Sequence, residues 1–229
     1  MTAPLSVVIP VLNAASGIGP CLAALSEGAV EGLVAEVILV DGGSEDAIAE
    51  IADAVGARLI SAARGRGPQL AAGAEVARAP WLLFLHADTA LAPGWPAAMR
   101  RHMSDNTQRA GYAALRFDDR AAMAHVTAGW ANLRSALFAL PYGDQGLLIH
   151  RDLYGAVGGY PPFPILEDVA IVRKLGRRRL ARLDTVATTS ADRYRRDGWL
   201  RRGWRNITTV ALFLAGTPPD RLAERYRRR

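Results

Sequence analysis

Four short, largely apolar runs, each ending in a polar or glycine-rich turn and each followed by a helical stretch, restrict the fold of this chain more than any other feature. They are LSVVI (Leu5 to Ile9), EVILV (Glu36 to Val40), RLIS (Arg58 to Ser61) and WLLFL (Trp81 to Leu85). WLLFL, apolar throughout, reads as buried on both faces. A β-α-β-α order of such strands implies a mixed, mainly parallel sheet flanked by helices, Rossmann-like in its first half. Ser16 is expected to cap the first helix, running to about Gly28. Ser44 is expected to cap the second, with Glu45 and Asp46 in its first turn and an end near Gly56. A third helix is expected from about Gln69 to Ala77.

After Asp88 the pattern changes. The sequence predicts a helix around Trp95 to His102, a looser stretch, a helix from about Ala121 to Phe138, and a strand GLLIH (Gly146 to His150). Glu167 and Asp168 open a further helix through Lys174, two short strands follow near Leu180 and Val186, and the tail from Trp199 is helical and amphipathic. With no internal repeat or low-complexity linker, the expected organisation is one α/β domain over residues 1–192. A basic helical appendage, 193–229, packs on it.

The length of 229 residues and a hydrophobic fraction of 50% suit a globular chain with a real core. The apolar run ITTVALFLAG is too short to cross a bilayer, and MTAPLSVVIPVL lacks the basic segment of a signal peptide. The single cysteine, Cys21, excludes an intramolecular disulfide and a cysteine-built zinc site and fits a reducing cytoplasm. From Arg173 onward there are 17 Lys or Arg against 5 Asp or Glu, so a surplus of +12 sits in the last quarter of the chain. That surplus suits an anionic partner, a diphosphate or an anionic lipid surface in peripheral contact. Only one of the 28 basic residues is lysine, which compositional bias alone would also produce. Nucleic acid is not expected, because no stacking aromatics or binding motif accompany the arginines.

In open α/β sheets, ligands gather beyond the C-terminal ends of the strands. Those ends read Pro10-Val11-Leu12-Asn13, then Asp41-Gly42-Gly43-Ser44, then Arg64 to Gln69, then His86-Ala87-Asp88. Glycines beside Asp41 let a ligand approach the backbone while the carboxylate accepts a hydrogen bond. Asp88 can offer oxygen to a hard divalent ion that keeps waters and completes its shell with phosphate. Arg66 and Gln69 could reach phosphate or sugar. Each cluster also has a plain structural reading, as a turn or a helix cap.

In this order, SVVIPVLNAASGI, EVILVDGGSED, GRGPQLAAGAEVARAPWLLFLHADT and ILEDVAIVRKL resemble the family 2 glycosyltransferases of the GT-A fold. Within that family the chain is similar to the small bacterial transferases associated with arsenosugar biosynthesis, or with radical-SAM and selenodomain proteins. The resemblance spans nearly the whole chain. It implies a nucleotide-sugar donor, a UDP-sugar first among them, with Asp41 on the nucleobase and Pro10, Val11, Asn13 and Gly43 in the same pocket. His86-Ala87-Asp88 stands where the family carries Asp-x-Asp, so Asp88 is the implied ligand of Mn²⁺ or Mg²⁺, with Ala87 beside the donor. Glu167-Asp168 matches the family's acidic pair, whose aspartate is the general base of an inverting single displacement onto a small-molecule or lipid-linked acceptor. His86 departs from the pattern: an imidazole stands where the family has a carboxylate, either as a metal ligand or as a neutral hydrogen-bonding group. His150 is a further candidate ligand, Arg195 and Arg196 are candidates for stabilising the departing diphosphate, and Tyr142 to Gln145 are candidates for the acceptor side.

Two other functions compete. A sugar-phosphate nucleotidyltransferase shares the architecture, but it wants a glycine-rich basic loop after the first strand, where VLNAASGIGP has neither Lys nor Arg. A non-catalytic nucleotide-sugar-binding module would explain the loss of a carboxylate at His86, though not the joint presence of Asp41, Asp88 and Asp168. A dinucleotide site is not supported, since Gly17-Ile18-Gly19 lacks the third glycine of that motif.

Overall fold

The apolar runs become strands, buried inside the sheet and largely exposed at its edge, where RLIS lies. A computed structural model describes residues 3–227. In it β1 (Leu5–Val11), β2 (Val34–Asp41), β3 (Arg58–Ser61) and β4 (Trp81–Phe84) pair in parallel. Helices α1 (Gly19–Val30), α2 (Ile48–Ala54) and α3 (Arg66–Val76) connect them. The alternating side chains of β1 feed two core layers, as the two-residue period of a strand requires. Leu5, Val7 and Ile9 pack with Trp95 and Met99, whereas Val8 packs with Ile38, Leu70 and Ile171. Pro10 lies in this central strand without costing a ladder bond: Val8 O accepts from Leu85 N on the β4 side, so residue 10 faces the same side, just past the end of β4.

The second half supplies β5 (Thr89–Leu91), α4 (Trp95–Asp105), β6 (Ala110–Phe117), α5 (Ala122–Phe138), a 3-10 turn (Gly143–Gln145), β7 (Leu147–His150) and α6 (Arg151–Ala156). It continues with α7 (Glu167–Leu175), β8 (Leu180–Thr189), α8 (Asp192–Asp197), α9 (Trp199–Leu214) and α10 (Pro219–Arg227). The eight strands make one mixed sheet in the order β3-β2-β1-β4-β7-β6-β8-β5. β7 runs antiparallel to β4 and β6, while β8 is parallel to β6 and antiparallel to β5. Helices α8 and α9 pack on the sheet through an aromatic cluster of Phe117, Tyr194 and Trp199, with Tyr194 and Trp199 stacked 4.8 Å apart. Residues 228 and 229 of the expected appendage lie outside the described residues.

Several local expectations are corrected. Ser16 caps nothing: α1 begins at Gly19, with Pro20 in its first turn, where the missing N–H costs nothing. Ser44 does not cap α2, because its N–H and hydroxyl donate to Asp41 and its oxygen accepts from Asn13 N. Asp46 takes the helix-entry position, its carboxylate accepting from Ile48 N. The looser stretch contains β6, and β5, which was not expected, lies ahead of the Trp95 helix. The two short strands near Leu180 and Val186 are one strand, β8, whose register against β6 shifts between Tyr112 and Ala114.

Candidate active site

The topology brings the C-terminal ends of β1, β2, β3, β4, β6 and β8 to one edge of the sheet, together with the turn that enters β7 and the start of β5. Two adjoining cavities open there. The larger is lined by Pro10, Val11, Asn13, Arg66, Gln69, His86, Ala87, Asp88 and Arg193, among others. The second shares Arg66, His86, Asp88 and Arg193, and adds Tyr142, Asp144, Asp168, Ser190, Tyr194 and Asn206.

The wall of the first cavity is held by side chains bonded to backbone. Gln69, buried on α3, donates its amide N–H groups to Val11 O at 2.8 Å and Val40 O at 2.7 Å, clamping the ends of β1 and β2. Asn13, in the left-handed region at φ 50°, accepts from Glu45 N and so ties the β1 loop to the β2 loop. Arg66 opens α3, and the next residue must be glycine: a Cβ on Gly67 would lie 2.2 Å from Pro161 O.

His86 lines both cavities, and Gly143 and Asp168 adjoin it on the side of the second. A Cβ on Gly143 would lie 2.5 Å from His86 Nε2, so only glycine lets this turn approach the imidazole. Gly143 N donates to Asp168 Oδ2 at 2.8 Å, and Val169 N donates to Asp168 Oδ1, holding the carboxylate at the N-terminus of α7. Leu166, just before that helix, adopts φ 65°, a left-handed conformation uncommon for leucine and found here against the site. Burial, then the positive charges of Arg66 and Arg193, hold the His86 pKa well below its ordinary value, so the imidazole is neutral at pH 7. Asp144 is pushed up to about 6, first by burial and then by the Asp168 and Asp88 charges, against the pull of Arg134 and Arg66. Arg134 itself lies over the Tyr142 ring, 3.3 Å from its centroid.

The structure thus brings Pro10, Val11, Asn13, Arg66, Gln69, His86, Ala87, Asp88 and Asp168 to one place. It does not bring the others. Asp41 ends β2 close by, but both its oxygens accept from Ser44, and neither it nor Gly43 lines the cavities. Glu167 is wholly buried behind Asp168, its carboxyl oxygens without a hydrogen-bond partner among the described residues. Burial, then the Asp168 charge, push its carboxyl up to about 8. His150 pairs in register with Trp81, the first residue of β4, and therefore sits at the opposite edge of the sheet from Asp88; there its ring accepts from Asp152 N as a helix cap. Arg195 is engaged by Asp118, Asp119 and Asp192, and Arg196 by Asp197, so both are turned away from the cavities. Arg193 lines both cavities instead. Nothing in the sequence singles Arg193 out, whereas Asp144 lies in the Tyr142–Gln145 stretch expected on the acceptor side and lines the second cavity. Among the described residues no three His, Cys, Asp or Glu side chains converge into a complete metal cage.

A cleft of this kind, at the strand edge where the topology switches direction, marks an α/β protein that binds a ligand across its sheet. The model of glycosyl transferase family 2 matches residues 6–133, more than half of the chain, and the chain belongs to that family. Its fold is the GT-A arrangement of a curled, mostly parallel sheet with C-terminal helices. No curated protein matches the chain. Among solved structures it is similar to glucosyl-3-phosphoglycerate synthase from Mycobacterium tuberculosis in complex with Mn²⁺, uridine diphosphate and glucosyl-3-phosphoglycerate. Identity is 22%, over 82% of this chain and 70% of that one, with a TM-score of 0.56. It is similar also to S. aureus TarS 1–349 in complex with UDP-GlcNAc, at 14% identity over 81% of this chain and 58% of that one, TM-score 0.62. GalNAc-T7 with UDP, GalNAc and Mn²⁺ matches at 16% identity over 82% of this chain and 44% of that one, TM-score 0.63. The chain spans 65% of a mycobacterial protein that is 24% identical, with a TM-score of 0.56. At these identities the likeness is one of fold.

Proposed function

We propose that the protein transfers a glycosyl group from a nucleoside-diphosphate sugar to an acceptor hydroxyl, by single displacement with inversion at the anomeric carbon. One observation carries the reading: Asp88, Asp168, Arg66 and Arg193 line a common cleft at the strand edge, so anion-binding cations and a proton-accepting carboxylate face one space. The donor lies in the cavity walled by the β1 loop and α3, the acceptor in the one walled by Tyr142, Asp144 and Asn206. Complexes of similar folds with UDP support a uridine nucleotide.

The residues fit a partly hydrated divalent ion better than a closed cage. Asp88 is a carboxylate, His86 is kept as a neutral nitrogen donor, and the Asp144 carboxyl, raised first by burial and then by the charges of Asp168 and Asp88, adds a further acid to the same pocket. When bound, Mn²⁺ or Mg²⁺ on Asp88 supplies positive charge to the diphosphate. Arg66 and Arg193 supply fixed charge to the same group. Asp168, held by Gly143 N, takes the proton from the acceptor hydroxyl as its oxygen bonds to the anomeric carbon and the bond to the diphosphate oxygen breaks. Glu167, buried and protonated, lies behind Asp168 and does not meet substrate. The ordered motifs of the sequence support placement in the arsenosugar- or radical-SAM-associated branch, and the lone cysteine supports action in the cytoplasm.

Thermal-shift measurements with UDP and GDP, each with and without Mn²⁺, test this reading. Stabilisation of about 2.7 kcal/mol is expected when a nucleotide is present at 100-fold over its dissociation constant. No shift with any nucleoside diphosphate in Mn²⁺ would remove the support for transfer.

A further inference from the structure

Nine of the twelve exposed large hydrophobic side chains among the described residues sit on two helices that pack together, α5 and α9. On α5 Val126, Trp130, Leu133 and Leu137 form one stripe at three- to four-residue spacing; on α9 Leu200, Trp204, Ile207 and Leu214 form another. A contiguous apolar face of this kind marks an interaction surface, whereas scattered exposed leucines do not. Trp130 and Ile207 border a groove between the helices, and that groove runs into the acceptor cavity, with which it shares Tyr142, Asp144, Tyr194 and Asn206 as walls.

Charge identifies what covers this face. Neither helix carries a single Asp or Glu, while α9 carries the exposed Arg201; its Arg202 and Arg205 are paired with Asp197. Arg177 donates to the carbonyls of Ala136 and Leu137 at the end of the α5 stripe, and exposed Arg201 follows Leu200. A second copy of the chain would set arginines against arginines with no acid on either helix to answer them. An apolar stripe rimmed by cations matches an anionic bilayer, whose hydrocarbon takes the Trp and Leu side chains and whose headgroups take the arginines.

We propose that the α5/α9 face seats on an anionic lipid bilayer, with α9 lying in the interface plane, so that the acceptor cavity opens at the membrane surface. No helix among the described residues is long and apolar enough to cross a membrane, so the contact is peripheral. The seating stands without the transfer reading; that the groove delivers a lipid-linked acceptor to Asp168 rests on it.

Flotation of the full chain with vesicles decides the matter. Binding is expected to vesicles containing phosphatidylglycerol, and weaker binding to phosphatidylcholine alone. The double change Leu133→Glu and Trp204→Glu should weaken it roughly ten-fold or more, and Arg177→Glu with Arg201→Glu should remove the preference for the anionic lipid. None of these four residues lines a cavity, so the UDP-induced thermal shift should survive in each variant. Wild-type protein that binds UDP but never floats overturns the seating alone; protein that floats but ignores every nucleotide overturns the transfer reading alone. A dimer by light scattering that Leu133→Glu and Trp204→Glu disperse, with no vesicle binding, would make this face a subunit interface and overturn the proposal.

Discussion

Glu167 offers the most direct test of how the site is built. Its side chain is fully buried, neither oxygen has a hydrogen-bond partner among the described residues, and its carboxyl is raised from 4.5 to about 8. Between those values the unfolded chain releases a proton that the folded chain retains. Stability from this group is therefore complete below about pH 4.5 and is lost as pH rises through about 8. At about 1.4 kcal/mol per pKa unit, the loss between about pH 5 and about pH 8 comes to about 3 kcal/mol. Glu167→Gln keeps the shape and removes the ionisation. The variant should gain on the wild type by about 3 kcal/mol across that interval, whatever fixed offset the new amide brings. Urea unfolding followed by tryptophan fluorescence at the two pH values measures it, and the other titrating groups cancel because both chains share them. A wild-type-to-variant difference that does not change with pH would refute the reasoning, because Glu167 would then be ionised in the fold and answered by a cation.

Three further outcomes are expected. Asp88→Ala should abolish the Mn²⁺-dependent part of the UDP thermal shift while leaving any metal-independent part. Asp168→Asn should lower turnover about 10²-fold with donor affinity unchanged in titration calorimetry; normal turnover would return Asp168 to a helix-capping role. Arg193→Ala should weaken UDP binding by about 1–3 kcal/mol, the scale of charge-assisted hydrogen bonds, whereas Arg196→Ala, on a residue paired with Asp197, should leave calorimetric affinity unchanged.

The half of the site that the sequence makes legible is the half built on strand ends. Continuous apolar runs mark β1, β2 and β4, and a parallel sheet puts whatever follows such runs on one edge, which is why Pro10 to Asn13, Arg66, Gln69 and His86 to Asp88 could be grouped in advance. β6 was not legible, because AGYAALRF is alanine-rich and its burial comes from side chains packed on its faces, those of α5 among them. β8 reads as two strands because Asp184-Thr185 interrupts it at the register shift. Glu167 and Asp168 look like one acidic pair, yet neighbours on a helix point about 100° apart, so one faces the cavity and the other the core. Arg195 and Arg196 look like the obvious cations, but the acids that capture Arg195 include Asp118 and Asp119, over 70 residues away in sequence and beside it only in the fold.

The short edge strand β5 has a bearing on how the protein comes together in time. It follows directly on Asp88, yet among the described residues its sole ladder partner is β8, and Thr89 meets Thr189 hydroxyl to hydroxyl at 3.1 Å across 100 residues of chain. Ser190 N closes on Asp88 O in the same place. Pairings between such distant segments pay their loop-closure entropy late, and chains that depend on them fold slowly. On a ribosome the first four strands emerge and can assemble long before β8 exists, while the backbone around Asp88 waits for its anchor. A fluorescent nucleotide present during refolding should therefore light up with the closing of β8 on β5, well after most of the sheet has formed.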